Sequence, residues 1–217
     1  MNRKAFTQCI LGGIVLMLFI LFTWSLTRVD VRPIGPNGSS VAYAGINQSV
    51  HNLFGVSMIL YSITDWAGAA AILIALGFAA LGLKQWIKRK SILKVDSSIL
   101  VLGVFYVLVF GIYVYFEFHV INCRPVLING ILESSYPSST TMLVMCVLPT
   151  AMMQFRRLIQ NRTVRKTTLV LCGLFTAFMV IGRLICGVHW FTDIFGGLLL
   201  SASLILLYCS INNFLGK

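Results

Sequence analysis

The stretch WAGAAAILIALGFAALGLKQWIKRK, residues 66–90, decides the fold. From Trp66 to Leu83 no residue is charged; then Lys84, Lys88, Arg89 and Lys90 follow within seven positions. As a helix rising 1.5 Å per residue, the apolar part covers about 27 Å, close to the hydrocarbon thickness of a bilayer. Cations in a short loop after such a span mark its cytoplasmic end.

The rest of the chain repeats this pattern. Of its 217 residues, 58% are hydrophobic and only 11% charged, and the mean hydropathy of +0.90 is far above that of soluble domains. Further spans are expected at 5–26, 97–118, 138–155, 167–187 and 193–213, which with 66–83 makes six. The expectation is an all-α, polytopic six-transmembrane-helix bundle forming a single membrane-embedded domain over 1–217. The first run follows Met1-Asn2-Arg3-Lys4 and leads into Trp24-Ser25-Leu26-Thr27-Arg28, with no small-residue cleavage site. It therefore reads as a retained helix and not as a signal peptide.

The basic residues give the orientation. Lys84, Lys88, Arg89, Lys90 and Lys94 follow the second span, and Arg156, Arg157, Arg162, Arg165 and Lys166 follow the fourth. Both loops belong in the cytoplasm, and Arg3, Lys4 and Lys217 put both termini there too. Segments 27–64, 119–137 and 187–193 then face outward from the cell membrane. The net charge of +11 serves topology and anionic headgroups, and no nucleic-acid partner is needed to explain it.

Within the first outward segment, Pro33, Gly35-Pro36 and Asn37-Gly38 give turn chemistry. INQSVHNLFGVSMILYSITDW after it fits either an interfacial helix or an N-terminal extension of the second span. The six cysteines (9, 123, 146, 172, 186 and 209) lack metal-type spacing. Most are apolar filler, with Cys123 and Cys186 near enough in level to pair in an oxidising compartment.

The ionisable residues in the outward half are more informative. Asp65, Glu117, His119, Arg124, Glu133, Arg183, His189 and Asp193 fall at one level of the bundle. Taken singly, each reads as an interfacial anchor snorkelling to water. Taken together, two arginines, two histidines and several carboxylates suggest a pocket for an anion with a hydrophobic tail. SSYPSSTT at 134–141 adds a helix start, with Pro137 suited to the first turn and free N–H groups facing an anion.

Arg124-Pro125, Tyr136-Pro137-Ser138-Ser139, and Gly182-Arg183 with His189 and Asp193 resemble the three motifs of the type 2 phosphatidic acid phosphatase family. Those motifs read Lys, six residues, Arg-Pro; Pro-Ser-Gly-His; and Ser-Arg, five residues, His, three residues, Asp. The resemblance implies a membrane phosphatase that removes phosphate from a lipid in the outer leaflet, with no metal or cofactor. It makes His189 the nucleophile, Asp193 its orienting carboxylate, and Arg124, Arg183, Ser138, Ser139 and Thr140 the phosphate contacts. Helical spacing of i,i+4 independently puts the side chains of His189 and Asp193 on one face.

This sequence departs from the family pattern at four points. Glu117 stands where the first motif has lysine, Gly182 where the third has serine, Ser139 where the second has glycine, and Thr140 where the second has its histidine. That last histidine protonates the leaving group in the family. Its loss favours substrates whose leaving group needs no proton, so a lipid diphosphate such as polyprenyl diphosphate is expected over phosphatidate. Glu117, His119 and, more weakly, Asp65 are the candidate replacements, and residues 117 and 119 point to different sides of a helix. Two other readings stay open: a protein that binds or transports a lipid phosphate, and a phosphotransferase sharing the phosphohistidine intermediate.

Overall fold

The computed structural model describes residues 3–215, so Lys217 lies outside it. The described residues form seven α-helices and no β-strand: α1 Arg3–Ser25, α2 Ala44–Phe54, α3 Met58–Arg89, α4 Ser97–Phe118, α5 Ser139–Leu158, α6 Arg162–Ile185 and α7 Phe191–Phe214. The six long helices match the six expected spans. The segment after the first span resolves into both alternatives: 44–54 is a separate helix, while 58–65 extends α3 beyond its apolar part. Asp65 and the cations from Lys84 onward do not end α3, because a helix continues as long as its backbone bonds are made.

Five of the long helices are long and apolar enough to cross a membrane. The sixth, α5, falls short because its serine, threonines, Gln154, Arg156 and Arg157 dilute its apolar residues, and much of it is enclosed by other helices. It packs against α3, α4, α6 and α7 and buries Thr141, Met142, Val144, Cys146, Val147, Leu148, Thr150, Ala151 and Gln154. Its polar side chains meet protein instead of lipid: Thr150 shares a hydrogen bond of 3.1 Å with Tyr106, and Gln154 donates to the Tyr208 hydroxyl at 3.1 Å.

Lipid tails are as apolar as leucine, so spanning helices associate through close packing and hydrogen bonds. The α1–α7 pair shows both. Ser203 and Ser210 donate across it to the carbonyls of Gly12 and Ala5 at 2.9 and 2.8 Å, and a side chain at Gly12 would meet Leu207. Around them Phe19, Phe78, Leu102, Phe105, Met142, Leu204 and Tyr208 form the main core.

Helix α2 is pinned to the start of α7 by Asn47, which donates to the Ala42 carbonyl and the Thr192 hydroxyl and accepts from the Thr192 N–H. Ile46, Leu53 and Phe54 remain exposed on it. All six cysteines are free thiols, Cys123 and Cys186 included.

Candidate active site

Opposite the basic loops, the ends of α3, α4 and α5 and the α4–α5 and α6–α7 connections line a cleft of about 270 Å³. Asp65, Glu117, Arg124, Glu133, Tyr136, Ser139 and His189 are among its lining residues. Four of the six carboxylates of the chain gather here, since Asp193 lies directly behind His189.

Arg124 comes from the α4–α5 connection. Antiparallel bridges Cys123 to Ser134 and Ile128 to Ile131 fold that segment back on itself around Asn129-Gly130. The fold-back sets Arg124 beside Glu133, with their backbones bonded at 3.0 Å and Nε of Arg124 3.0 Å from Oε2. Arg183 stands in the last turn of α6, 1% exposed, with Asp65 Oδ1 3.6 Å away and the Thr64 hydroxyl 3.5 Å from its Nη1. Thr64 fits there because residue 182 is glycine: a Cβ at Gly182 would lie 2.8 Å from the Thr64 methyl. Tyr61, one turn earlier on α3, places its ring 5.0 Å from the Arg183 guanidinium and 5.8 Å from that of Arg124.

His189 lies in the short α6–α7 connection. Gly187 (φ 70°) makes the approach to it so close that a Cβ there would sit 1.9 Å from the Gly55 carbonyl oxygen. The Ser57 N–H donates to the Cys186 carbonyl at 3.0 Å, closing the same junction. Arg124 Nη1 is 3.3 Å and Arg183 Nη2 3.2 Å from one atom, His189 Nε2. A guanidinium has donors only, so Nε2 must hold a lone pair and the ring proton must be on Nδ1. Burial, then the charges of Arg124 and Arg183, hold the His189 imidazole well below the usual histidine range. The ring is neutral, its free nitrogen facing two cations.

Nδ1 faces Asp193 Oδ2 at 3.7 Å, longer than a hydrogen bond. Asp193 is itself fixed: Oδ2 accepts from the Trp190 N–H at 2.9 Å and Oδ1 from the Asn122 amide at 3.3 Å. Such contacts in empty sites tighten when a ligand is bound.

The other expected site residues separate into two groups. Ser139 lines the cleft. Ser138 is buried behind it; its hydroxyl caps the Thr141 N–H and its own N–H donates to the Asp193 carbonyl at 3.0 Å. It is therefore the N-cap of α5, and Pro137 precedes the cap instead of occupying the first turn. The Thr140 methyl packs toward Gly68 of α3, and Thr140 is not among the cleft-lining residues. Glu117 lines the cleft, whereas His119 stacks on Tyr115 at 4.1 Å and faces a separate groove. Sequence reasoning missed Tyr61, Thr64 and Asn122. Helical spacing from Asp65 places Tyr61 on the same face, but nothing local marks Asn122, whose partner is 71 residues away.

The model for the PAP2 superfamily matches residues 105–217, a stretch that contains Arg124, Ser138, Arg183, His189 and Asp193. No curated protein matches the sequence. Among solved structures, the chain is similar to a transmembrane PAP2-type phosphatidylglycerolphosphate phosphatase from Bacillus subtilis. The TM-score is 0.57 at 19% identity, covering 94% of this chain and 96% of that one. That likeness extends the shared fold over α1–α3, and with more than half of its sequence matched the chain belongs to the PAP2 superfamily.

Proposed function

We propose that this protein is a membrane lipid phosphate phosphatase, with His189 as nucleophile and the cleft facing the outside of the cell. One observation carries the reading: two buried guanidiniums point at a single unprotonated imidazole nitrogen. Each guanidinium has a carboxylate on one edge, Glu133 beside Arg124 and Asp65 beside Arg183, and turns another N–H toward Nε2, so a phosphoryl group in front of that nitrogen would accept from both.

The chemistry follows from that geometry. Nε2 attacks phosphorus in line, the bond to the leaving oxygen breaks, and its electron pair goes to that oxygen. Arg124 and Arg183 stabilise the charge on the phosphoryl oxygens where phosphoryl transfer needs it. Asp193 orients the ring through Nδ1–H and balances the positive charge of the phosphohistidine. Water then attacks phosphorus, the P–Nε2 bond breaks with its electron pair returning to Nε2, the water proton passes to the departing phosphate or to the leaving-group oxyanion, and His189 is restored as the neutral imidazole. Ser139 and the first N–H groups of α5 complete the cradle, while Ser138 holds Asp193 and α5 in register.

Thr140 carries no acid and its methyl packs toward Gly68, away from the cleft lining. This supports a substrate such as polyprenyl diphosphate, whose leaving phosphate needs no proton, and it leaves Glu117, which lines the cleft, as the auxiliary acid for an alkoxide leaving group. The basic loops at the opposite end support cytoplasmic termini.

The test is phosphate release by purified protein in detergent, supplied with polyprenyl diphosphate, phosphatidate or phosphatidylglycerolphosphate. Release that disappears in His189→Ala is the expected result. Binding without release, unaffected by that substitution, refutes the enzyme reading and favours lipid phosphate carriage.

A further inference from the structure

A second cavity lies on the far side of α4. It measures about 560 Å³ and is lined by Phe19, Ile20 and Trp24 of α1 and by Phe116, Val120 and Ile121 of α4 and the residues after it, with Thr23, Tyr115 and His119 at its edges. Helix α1 packs along α7, while α4 packs on α3, α5 and α7, so the gap between α1 and α4 is unfilled. Ile20 and Trp24 are 57% and 58% exposed, which places the gap toward the surrounding lipid.

The groove and the cleft share a wall. Phe116 lines both. Tyr136 lines the cleft with its ring and reaches the groove with its hydroxyl, which shares a 2.7 Å hydrogen bond with Thr23. Phe19, Phe116 and Tyr136 form a cluster with ring centroids 6.0 to 6.3 Å apart. Tyr136 is held there because residue 196 is glycine: a Cβ would come within 2.3 Å of the ring. The groove is thus mostly apolar, with Thr23 and His119 as its polar lining, and shares Phe116 with the cleft that holds His189.

We infer that the α1–α4 groove seats one hydrocarbon chain of the phosphate lipid whose headgroup occupies the cleft, with Phe116 as the divider between chain and headgroup. The inference rests on the phosphatase reading above. A phosphate lipid is an anion joined to a chain, and here a cleft in which two arginines turn toward His189 adjoins an apolar groove beside the lipid-facing side of α1. With the chain in this groove the leaving oxygen lies on the α4 side of the phosphoryl group, the side that Glu117 lines.

Two measurements test this. Ile20→Trp and Val120→Trp fill the groove at lipid-facing positions, and the readout is the ratio of kcat/KM for a long-chain phosphatidate to that for its short-chain, water-soluble analogue. Loss of contact with even two buried methylenes lowers that ratio about tenfold. An unchanged ratio, including one in which both activities fall together, overturns the inference. The second measurement uses His189→Ala protein and a phosphatidate with a diazirine at its chain end. Labelling within 19–24 or 115–121 supports the groove; labelling confined to α3 or α6 overturns it. This experiment needs no turnover, so if the wild type releases no phosphate from any substrate but the groove is labelled, the chemistry fails and the chain site stands.

Discussion

Replacing Gly187 by alanine tests whether the α6–α7 connection is as tightly seated as His189 requires. Two costs add at this position. With φ at 70°, an L-residue in the left-handed region pays about 1–2 kcal/mol. The new methyl also meets the Gly55 carbonyl oxygen at 1.9 Å, its carbon at 2.9 Å and the Val56 Cα at 3.2 Å. These neighbours are backbone, so they cannot rotate away as a side chain would, and forcing them apart costs about another 1–3 kcal/mol. Gly38 is the control, because its φ is 72° but nothing lies within 4 Å of a Cβ there. Gly38→Ala should lose about 1–2 kcal/mol and keep its activity. Gly187→Ala should lose about 2–5 kcal/mol and, with His189 two residues away displaced by about an ångström, roughly a hundredfold in kcat/KM. Thermal unfolding in detergent and phosphate release on the same preparations give both numbers. Equal behaviour of the two variants would refute the close approach and the seating of His189 that depends on it.

Three further outcomes are expected. Because burial and the two arginines lower the His189 pKa, Nε2 keeps its lone pair as pH falls, so the acid limb of kcat/KM lies below about 6.5. Arg183→Gln removes one of those charges and moves that limb to higher pH, while lowering kcat/KM by about 10²–10³; a limb that stays put would separate it from His189. Glu117→Gln should cost about 10²–10⁴ with phosphatidate but little with polyprenyl diphosphate, and equal losses would remove Glu117 from the proton-donor role. In a background lacking native cysteines, an impermeant maleimide added to intact cells should label Ile131→Cys and spare Lys94→Cys; the reverse pattern would invert the assigned topology.

The spans were legible because hydropathy over 18 or more residues answers to one strong constraint, the thickness of the bilayer. Residues 97–118 coincide with α4. The ends were less legible at α3 and α6, because α6 begins among the polar residues from Arg162 and α3 begins at Met58, on the far side of Ser62, Thr64 and Asp65, where the helix runs on past its uncharged stretch. In the site, Arg183, His189 and Asp193 stood out through the family resemblance, whereas the helical spacing expected of His189 and Asp193 is not what joins them: α7 starts at Phe191, and His189 meets Asp193 from the connection before it. The parity of 117 and 119 also separated Glu117 from His119. Partners brought by tertiary packing were not readable: Glu133 against Arg124, Thr64 in the space left by Gly182, and Asn122 on Asp193 all depend on which chain segments meet.

The enclosure of α5 bears on how the protein is made. A helix with Thr141, Thr150 and Gln154 along its length and Arg156 and Arg157 at its end has little tendency to leave the translocon for lipid by itself. Its polar groups gain their partners, Tyr106 on α4 and Tyr208 on α7, only when those helices are beside it. Insertion and assembly are therefore not separable stages for this segment. The helix that opens with Ser139 at the cleft enters the membrane as a client of its neighbours, and α7, synthesised after it, completes its shelter.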